Sequence, residues 1–171
     1  MYHRFNENKY PSTNIRMNVF KEHLRLIEDL NYKFIHPDKF KENFDSPKKQ
    51  KKILLTIDDG FQSFYDFAWP YLKENKIPFL LFISTEPVGH KGYMTWEQIN
   101  EVAKESFAVI GHHSHSHEYL IEKSNNEFIK DIKTANLIFK DKLGYKPNLF
   151  SYPFGEYSEF MRNYISNNFD L

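Results

Sequence analysis

The chain has 171 residues, 40% of them hydrophobic, and its 23 basic side chains are matched by 23 acidic ones. That length can bury one sizeable core as a single domain over residues 1–171, and the even charge leaves no net field to recruit nucleic acid or an acidic membrane. Cysteine is absent, which excludes a disulfide framework and a thiol nucleophile, and no apolar run is long enough to span a membrane.

Along the chain, helical and extended patterns alternate. Phe20, Leu24, Ile27 and Leu30 recur at helical spacing and predict an amphipathic helix ending near Asn31-Tyr32, followed by a short strand at Lys33-Phe34-Ile35. The basic run Lys48-Lys49-Gln50-Lys51-Lys52 lacks interleaved aromatics and reads as a solvated loop before the apolar strand Ile53-Leu54-Leu55-Thr56-Ile57. Ser63 and Asp66 have capping-box spacing for a helix to about Glu74, which Pro70 must kink or interrupt. Pro78 to Ile83 reads as a buried parallel strand. Thr95 with Gln98, and Ser124 with Glu127, predict two further capped helices. The second carries Phe128, Ile132, Ala135 and Ile138 or Phe139 inward and stops at Gly144. A strand at Phe107-Ala108-Val109-Ile110 lies between them, and one at Asn148 to Ser151 precedes a last helix from Ser158 to about Asn167. This β-then-α order predicts parallel strands with helices outside.

Two polar groups follow strands in this pattern. Asp58-Asp59-Gly60 comes directly after Ile57, and Gly111-His112-His113-Ser114-His115-Ser116-His117 directly after Ile110. The C-terminal ends of parallel strands converge on one face, so these groups can meet. His113 and His117 are four apart and would share one face of a helical turn, gripping one ion together with Asp59. Three protein ligands leave a coordination position open, as catalytic sites require. Asp58 points away from Asp59 along an extended backbone and is placed to take a proton from water, the arrangement that metal-assisted hydrolysis needs. His112 and His115 fall off the shared face and are left out of the ligand set. Zinc suits two imidazoles and a carboxylate, while nickel, cobalt or iron would accept the same donors.

These residues resemble the polysaccharide deacetylases, or NodB-homology carbohydrate esterases. Thr56-Ile57-Asp58-Asp59-Gly60-Phe61 looks like that family's first motif, in which the first Asp is the general base and the second a metal ligand. His113-Ser114-His115-Ser116-His117 looks like its second, with the outer two His as ligands. Phe150-Ser151-Tyr152-Pro153-Phe154-Gly155 resembles the third, with Ser151 where many members carry the Arg that partners the base; by the resemblance, the Phe154 backbone N–H helps hold the oxyanion. Tyr93-Met94-Thr95-Trp96 is a phrase common before the second motif. Two later motifs, one with Asp and Trp and one with Leu-x-His, have no counterpart before Leu171. Met1-Tyr2-His3-Arg4-Phe5 is similar to the start of the poly-N-acetylglucosamine deacetylase subgroup, which makes His3 the candidate general acid.

The resemblance implies an α/β fold, an irregular and incomplete (β/α) barrel short of strands at its C-terminus, whose open edge could support an oligomer. It implies a metal-dependent hydrolase that removes N-acetyl groups from a hexosamine-containing polysaccharide. A catalytically weak glycan-binding relic and a small-molecule amidase on the same scaffold are the alternatives. Among the abundant aromatics, Trp96, Tyr152, Phe154 and Tyr157 lie near the motifs and could stack on sugar rings. No charged segment followed by an apolar run opens the sequence, so no export signal is expected in it, and its location stays open.

Overall fold

The structure is a computed structural model that describes residues 1–44 and 51–170. Lys48, Lys49 and Gln50 of the basic run therefore lie outside the described residues, while Lys51 donates to the Leu30 carbonyl at 3.0 Å and Lys52 to the Asn43 side chain.

In chain order the elements are strands β1 (Arg4–Phe5) and β2 (Asn14–Ile15), helix α1 (Met17–Asp29), strand β3 (Lys33–Phe34), helix α2 (Phe40–Phe44), strands β4 (Lys52–Ile53) and β5 (Thr56–Ile57), helix α3 (Trp69–Asn75), strand β6 (Phe79–Ile83), helix α4 (Trp96–Ala103), strand β7 (Ala108–His112), and helices α5 (Asn125–Leu143) and α6 (Glu159–Asn168). Strands β5, β6 and β7 form one parallel sheet. Tyr2 bridges to Ile57 on one side of that sheet and Phe150 to His112 on the other, both parallel, so five extended segments stand side by side. Two further parallel pairs, β1 with β2 and β3 with β4, extend the arrangement. This is the expected α/β fold, an open (β/α) arc with helices packed outside.

Apolar burial holds the arc together. Phe5, Phe20, Ile57, Phe64, Leu72, Phe79, Leu81, Ile83 and Met94 are all inaccessible to solvent, and Phe5 meets Phe20 edge-on at 5.0 Å. Strand β6 is buried along its whole length, as a central parallel strand must be. A second cluster, built on Phe128, Ile132, Phe150, Met161 and Ile165, joins α5 and α6 to the end of the arc.

Both predicted capping boxes at α4 and α5 form, with Thr95 and Ser124 each accepting from the third helical N–H. Gly144 ends α5 in the left-handed conformation at φ 83°, and Phe139 rather than Ile138 is the fourth buried residue of that helix. Other expectations need correction. The apolar run 53–57 is two strands because Ile53 pairs with Phe34 whereas Thr56 pairs with Leu80, so one run serves two sheets. Ser63 makes no cap; its hydroxyl accepts from the Phe5 N–H at 3.2 Å, and a π-helical turn over Phe64–Ala68 delivers Pro70 to the first turn of α3, where a missing N–H costs nothing. The segment from Asn148 to Ser151 pairs only through Phe150. Leu30, expected inward, is half exposed at the end of α1.

Gly111 marks the tightest approach in the sheet, since a Cβ there would lie 2.4 Å from the Phe82 ring. Gly111→Ala is expected to destabilise the fold by about 1–3 kcal/mol, the usual cost of overpacking, read as a lower denaturation midpoint. An unchanged midpoint would mean that the Phe82 ring moves aside freely.

Candidate active site

The candidate side chains sit where the parallel segments end. Asp58 follows β5, and its backbone is pinned from the side: the Asp58 N–H donates to the Tyr2 carbonyl at 2.9 Å, and the Tyr2 N–H to that of Thr56 at 3.0 Å. Asp59 then enters the left-handed region at φ 76° and Gly60 follows at φ 67°. The two carboxylates separate by this turn, not by the extended alternation expected from sequence. The left-handed φ favours glycine at position 60, and a Cβ there, 2.5 Å from the end of the Ile83 side chain, would also have to push that terminal methyl aside. The Tyr93-Met94 phrase braces the turn: Phe61 pairs with Tyr93, and the Met94 N–H donates to the Gly60 carbonyl at 2.9 Å.

His113 leaves β7 with its N–H bonded to the Ile83 carbonyl at 2.9 Å. The segment to His117 is not helical, which corrects the expected shared helical face. Ser114 and His117 are both left-handed, at φ 71° and 54°, and the Ser114 hydroxyl accepts from the His117 N–H at 3.1 Å. This loop brings His117 back over His113, with ring centroids 5.0 Å apart. The His113 Nδ1 lies 2.8 Å from the Ser151 carbonyl, so Nδ1 carries the proton and Nε2 presents its lone pair to the site.

Asp59 Oδ1 lies 2.9 Å from His117 Nε2 and 3.4 Å from His113 Nε2, and a donor atom from each of the three residues falls within 4.8 Å of the others. Yet Asp59 Oδ1 is buried and has no hydrogen-bond partner of acceptable geometry. Three donors gathered this closely, with the carboxylate oxygen in no hydrogen bond, is the arrangement of a ligand set, and an open His₂-carboxylate group fits a divalent cation. Burial alone would raise the Asp59 carboxyl, but the imidazoles of His113 and His117 outweigh it and hold the group well below its ordinary range.

Asp58 is also buried, and its Oδ1 has no partner. Burial pushes its pKa up and the Asp59 charge adds to the rise, while His113 and His3 draw it back. In the sequence motif Ser151 stands in place of an Arg, and Arg4 does not substitute: its guanidinium pairs with Glu7 at 3.1 Å and covers the Phe61 ring at 3.3 Å. Both carboxylates open on a cavity of about 360 Å³, shared with His3, His113, His117, Tyr152 and Phe154.

Every residue singled out from the sequence as a site residue therefore borders one cavity. His3 is placed there by the pairing of Tyr2 with β5. Phe154, left-handed at φ 60°, stacks flat on Tyr119 at 4.0 Å and meets His117 edge-on at 5.0 Å. The other aromatics divide: Tyr152 lines the cavity with Tyr157 stacked behind it at 4.9 Å, whereas Trp96 packs against Phe139 in the core. His112 is fully buried among Phe139, Phe150 and Phe169, its Nδ1 accepting from the Ser114 N–H, and burial pushes its pKa down to about 3. It is a neutral core residue, kept from the ligand set by burial and not by the helical face expected from sequence.

Sequence reasoning missed three residues that hold the histidine loop. The Ser84 hydroxyl donates to the His113 carbonyl, Thr85 Oγ1 lies 2.8 Å from His115 Nδ1, and the Asp131 carboxylate accepts from the N–H groups of His115 and Ser116. Ser84 and Thr85 directly follow β6, so the strand-end rule applied to Asp58 would have found them. Asp131 betrays itself only as an acid at the inward spacing of Phe128 and Ala135.

Residues 45–168 match the model of the family described as polysaccharide deacetylase. The chain belongs to that family. Among curated polysaccharide deacetylase relatives, it is 26% identical over 161 residues to YxkH of Bacillus subtilis (strain 168), covering 93% of this chain and 57% of the relative. It is 22% identical over 149 residues to the poly-beta-1,6-N-acetyl-D-glucosamine N-deacetylase of Escherichia coli (strain K12), covering 77% of this chain and 22% of the relative. The chain thus spans less than two thirds of the length of either curated relative. Its fold superposes on IcaB from Ammonifex degensii with a TM-score of 0.87 at 27% identity, over 98% of this chain and 78% of that one. A likeness this extensive carries the incomplete-barrel architecture of the deacetylase fold onto this polysaccharide deacetylase family member.

Proposed function

We propose that this deacetylase hydrolyses N-acetyl groups on a hexosamine-containing polysaccharide, with poly-β-1,6-N-acetylglucosamine the leading substrate. The observation that carries the reading is the unpartnered Asp58 oxygen beside the convergent donors of Asp59, His113 and His117 in one cavity. The E. coli relative's name supports the choice of glycan. Asp59, His113 and His117 would hold a divalent cation, zinc best, which supplies Lewis acidity toward the acetyl carbonyl and toward water.

The chain's own groups account for the proton movements. Asp58, its pKa raised by burial, accepts a proton from the attacking water as the water oxygen bonds to the acetyl carbon. Phe154 lines the cavity, and its backbone N–H would help hold the oxyanion so formed. His3, which lines the same cavity as Asp58, gives a proton to the amide nitrogen as the C–N bond breaks, releasing acetate and a free amine. His113 is kept in the ligating tautomer by the Ser151 carbonyl, so Ser151 contributes through its backbone whatever its side chain.

The test is acetate release from acetylated hexosamine oligomers, with and without a chelator. Chelator-sensitive release is the expected result. Release that ignores the chelator would remove the metal reading, and cation binding without release would favour a glycan-binding role instead.

A further inference from the structure

We infer that Asp131, on α5 and outside every motif, is a positioning residue that sets the cation affinity of the site by fixing the backbone of the histidine loop; this rests on the metal reading above. Asp131 reaches across from the outer helix and accepts two hydrogen bonds from successive peptide groups. The His115 N–H donates to one carboxylate oxygen at 2.7 Å and the Ser116 N–H to the other at 3.0 Å. Bonds from N–H to an ionised carboxylate are among the stronger neutral-to-charged pairs, and a two-point grip fixes orientation as well as position.

The location of that grip makes it matter. The loop runs from His113 to His117 with left-handed residues at Ser114 and His117, a conformation that costs free energy at each non-glycine position and persists only where surrounding contacts impose it. His113 needs no help from Asp131: its N–H, its carbonyl and its Nδ1 are already held by Ile83, Ser84 and Ser151. His117 is different. Its N–H is bonded to the Ser114 hydroxyl and its ring rests edge-on against Phe154, but the backbone that carries it toward Asp59 follows the path of the two preceding peptides, and those are the two that Asp131 holds. The His115 side chain, bonded to Thr85, and the Glu86 N–H bond to the His115 carbonyl at 3.0 Å fix the near side of the same peptide. Asp131 supplies the far side. Without it the loop can relax out of its left-handed turn, and His117 swings away from a ligand set that His113 and Asp59 still hold half-formed.

Outer partners of metal ligands typically contribute about 10-fold to 100-fold in affinity, and the same range is expected here. The experiment measures zinc affinity of the metal-stripped chain by chelator competition, and the visible absorption of the cobalt form, for wild type, Asp131→Ala, Asp131→Asn and Asp131→Glu. The expected result is zinc affinity about 10-fold to 100-fold weaker in Asp131→Ala, a changed cobalt spectrum, and partial recovery in Asp131→Asn, which keeps one acceptor. Thermal melts of the metal-free proteins separate this from general loosening: a residue that only supports the fold lowers the melting temperature yet leaves the affinity of folded molecules and the cobalt spectrum unchanged, and that outcome overturns the inference. Should Asp131→Ala fail to fold, Asp131→Asn and Asp131→Glu decide by the same criterion. Wild type that binds no zinc sinks the metal reading and this inference together, whereas tight wild-type binding with equally tight variants sinks the inference alone.

Discussion

Asp59→Ala is expected to abolish specific cation binding and to lower acetate release by roughly three orders of magnitude or more. Lewis-acid stabilisation contributes several kcal/mol to such a reaction, and each 1.36 kcal/mol is tenfold in rate. The loss should be this complete because Asp59 is the sole carboxylate among the three converging donors, and its buried Oδ1 lies close to both imidazoles. Zinc at about 100 times its dissociation constant stabilises a folded protein by about 2.7 kcal/mol, so wild type should melt at a higher temperature with zinc while the variant gains nothing. Retention of a tenth of the wild-type rate, or of the zinc-dependent shift, would place the ligand set elsewhere.

Asp58→Asn separates the base from the cation. The substitution preserves shape and hydrogen-bond capacity but cannot accept the proton, so the rate should fall by about 10²–10⁴-fold, the usual contribution of a positioned base. Zinc affinity should stay within a few-fold of wild type, because Asp58 lies outside the converging donors. Single-turnover measurements under saturating substrate report the chemical step directly. Equal losses of zinc affinity and rate would make Asp58 a ligand, and a rate unchanged by the substitution would require another base. The place of Asp58 outside the Asp59, His113 and His117 group is what favours a lowered rate with zinc affinity retained.

Much of this site was legible in the sequence because strand-end logic depends only on hydrophobic runs and the polar residues directly after them. Asp58, Asp59 and His113 come after buried segments, and parallel pairing through β6 places them together. The details that failed are backbone details. Nothing in the spacing of His113 and His117 distinguishes a helical turn from a loop with two left-handed residues, since both return the chain after four positions. Nor does an Asp-Asp-Gly string announce that the second Asp, and not only the glycine, is left-handed. Ser63 and Asp66 satisfied a capping pattern that the tertiary structure overrode, because the buried Phe5 N–H needed an acceptor and the Ser63 hydroxyl was within reach. The apolar run 53–57 concealed a change of partner, which is a property of neighbouring strands and absent from the run itself. Asp131 left only the faint signal of an acid at inward spacing for a related reason: its partners are backbone N–H groups on a different element.

The pairing of Tyr2 with Thr56 and Asp58 gives the two ends of the proposed proton path a common ruler. His3 and Asp58 ride on adjacent lengths of main chain, so their separation is metered by ladder register and not by side-chain fit. A slip of one residue would put Tyr2 or Arg4 in His3's place and turn the imidazole to the opposite face. Displacing that one paired segment would part the proposed donor from the acceptor, while Asp59 and His113, which follow the inner strands β5 and β7, would keep their places.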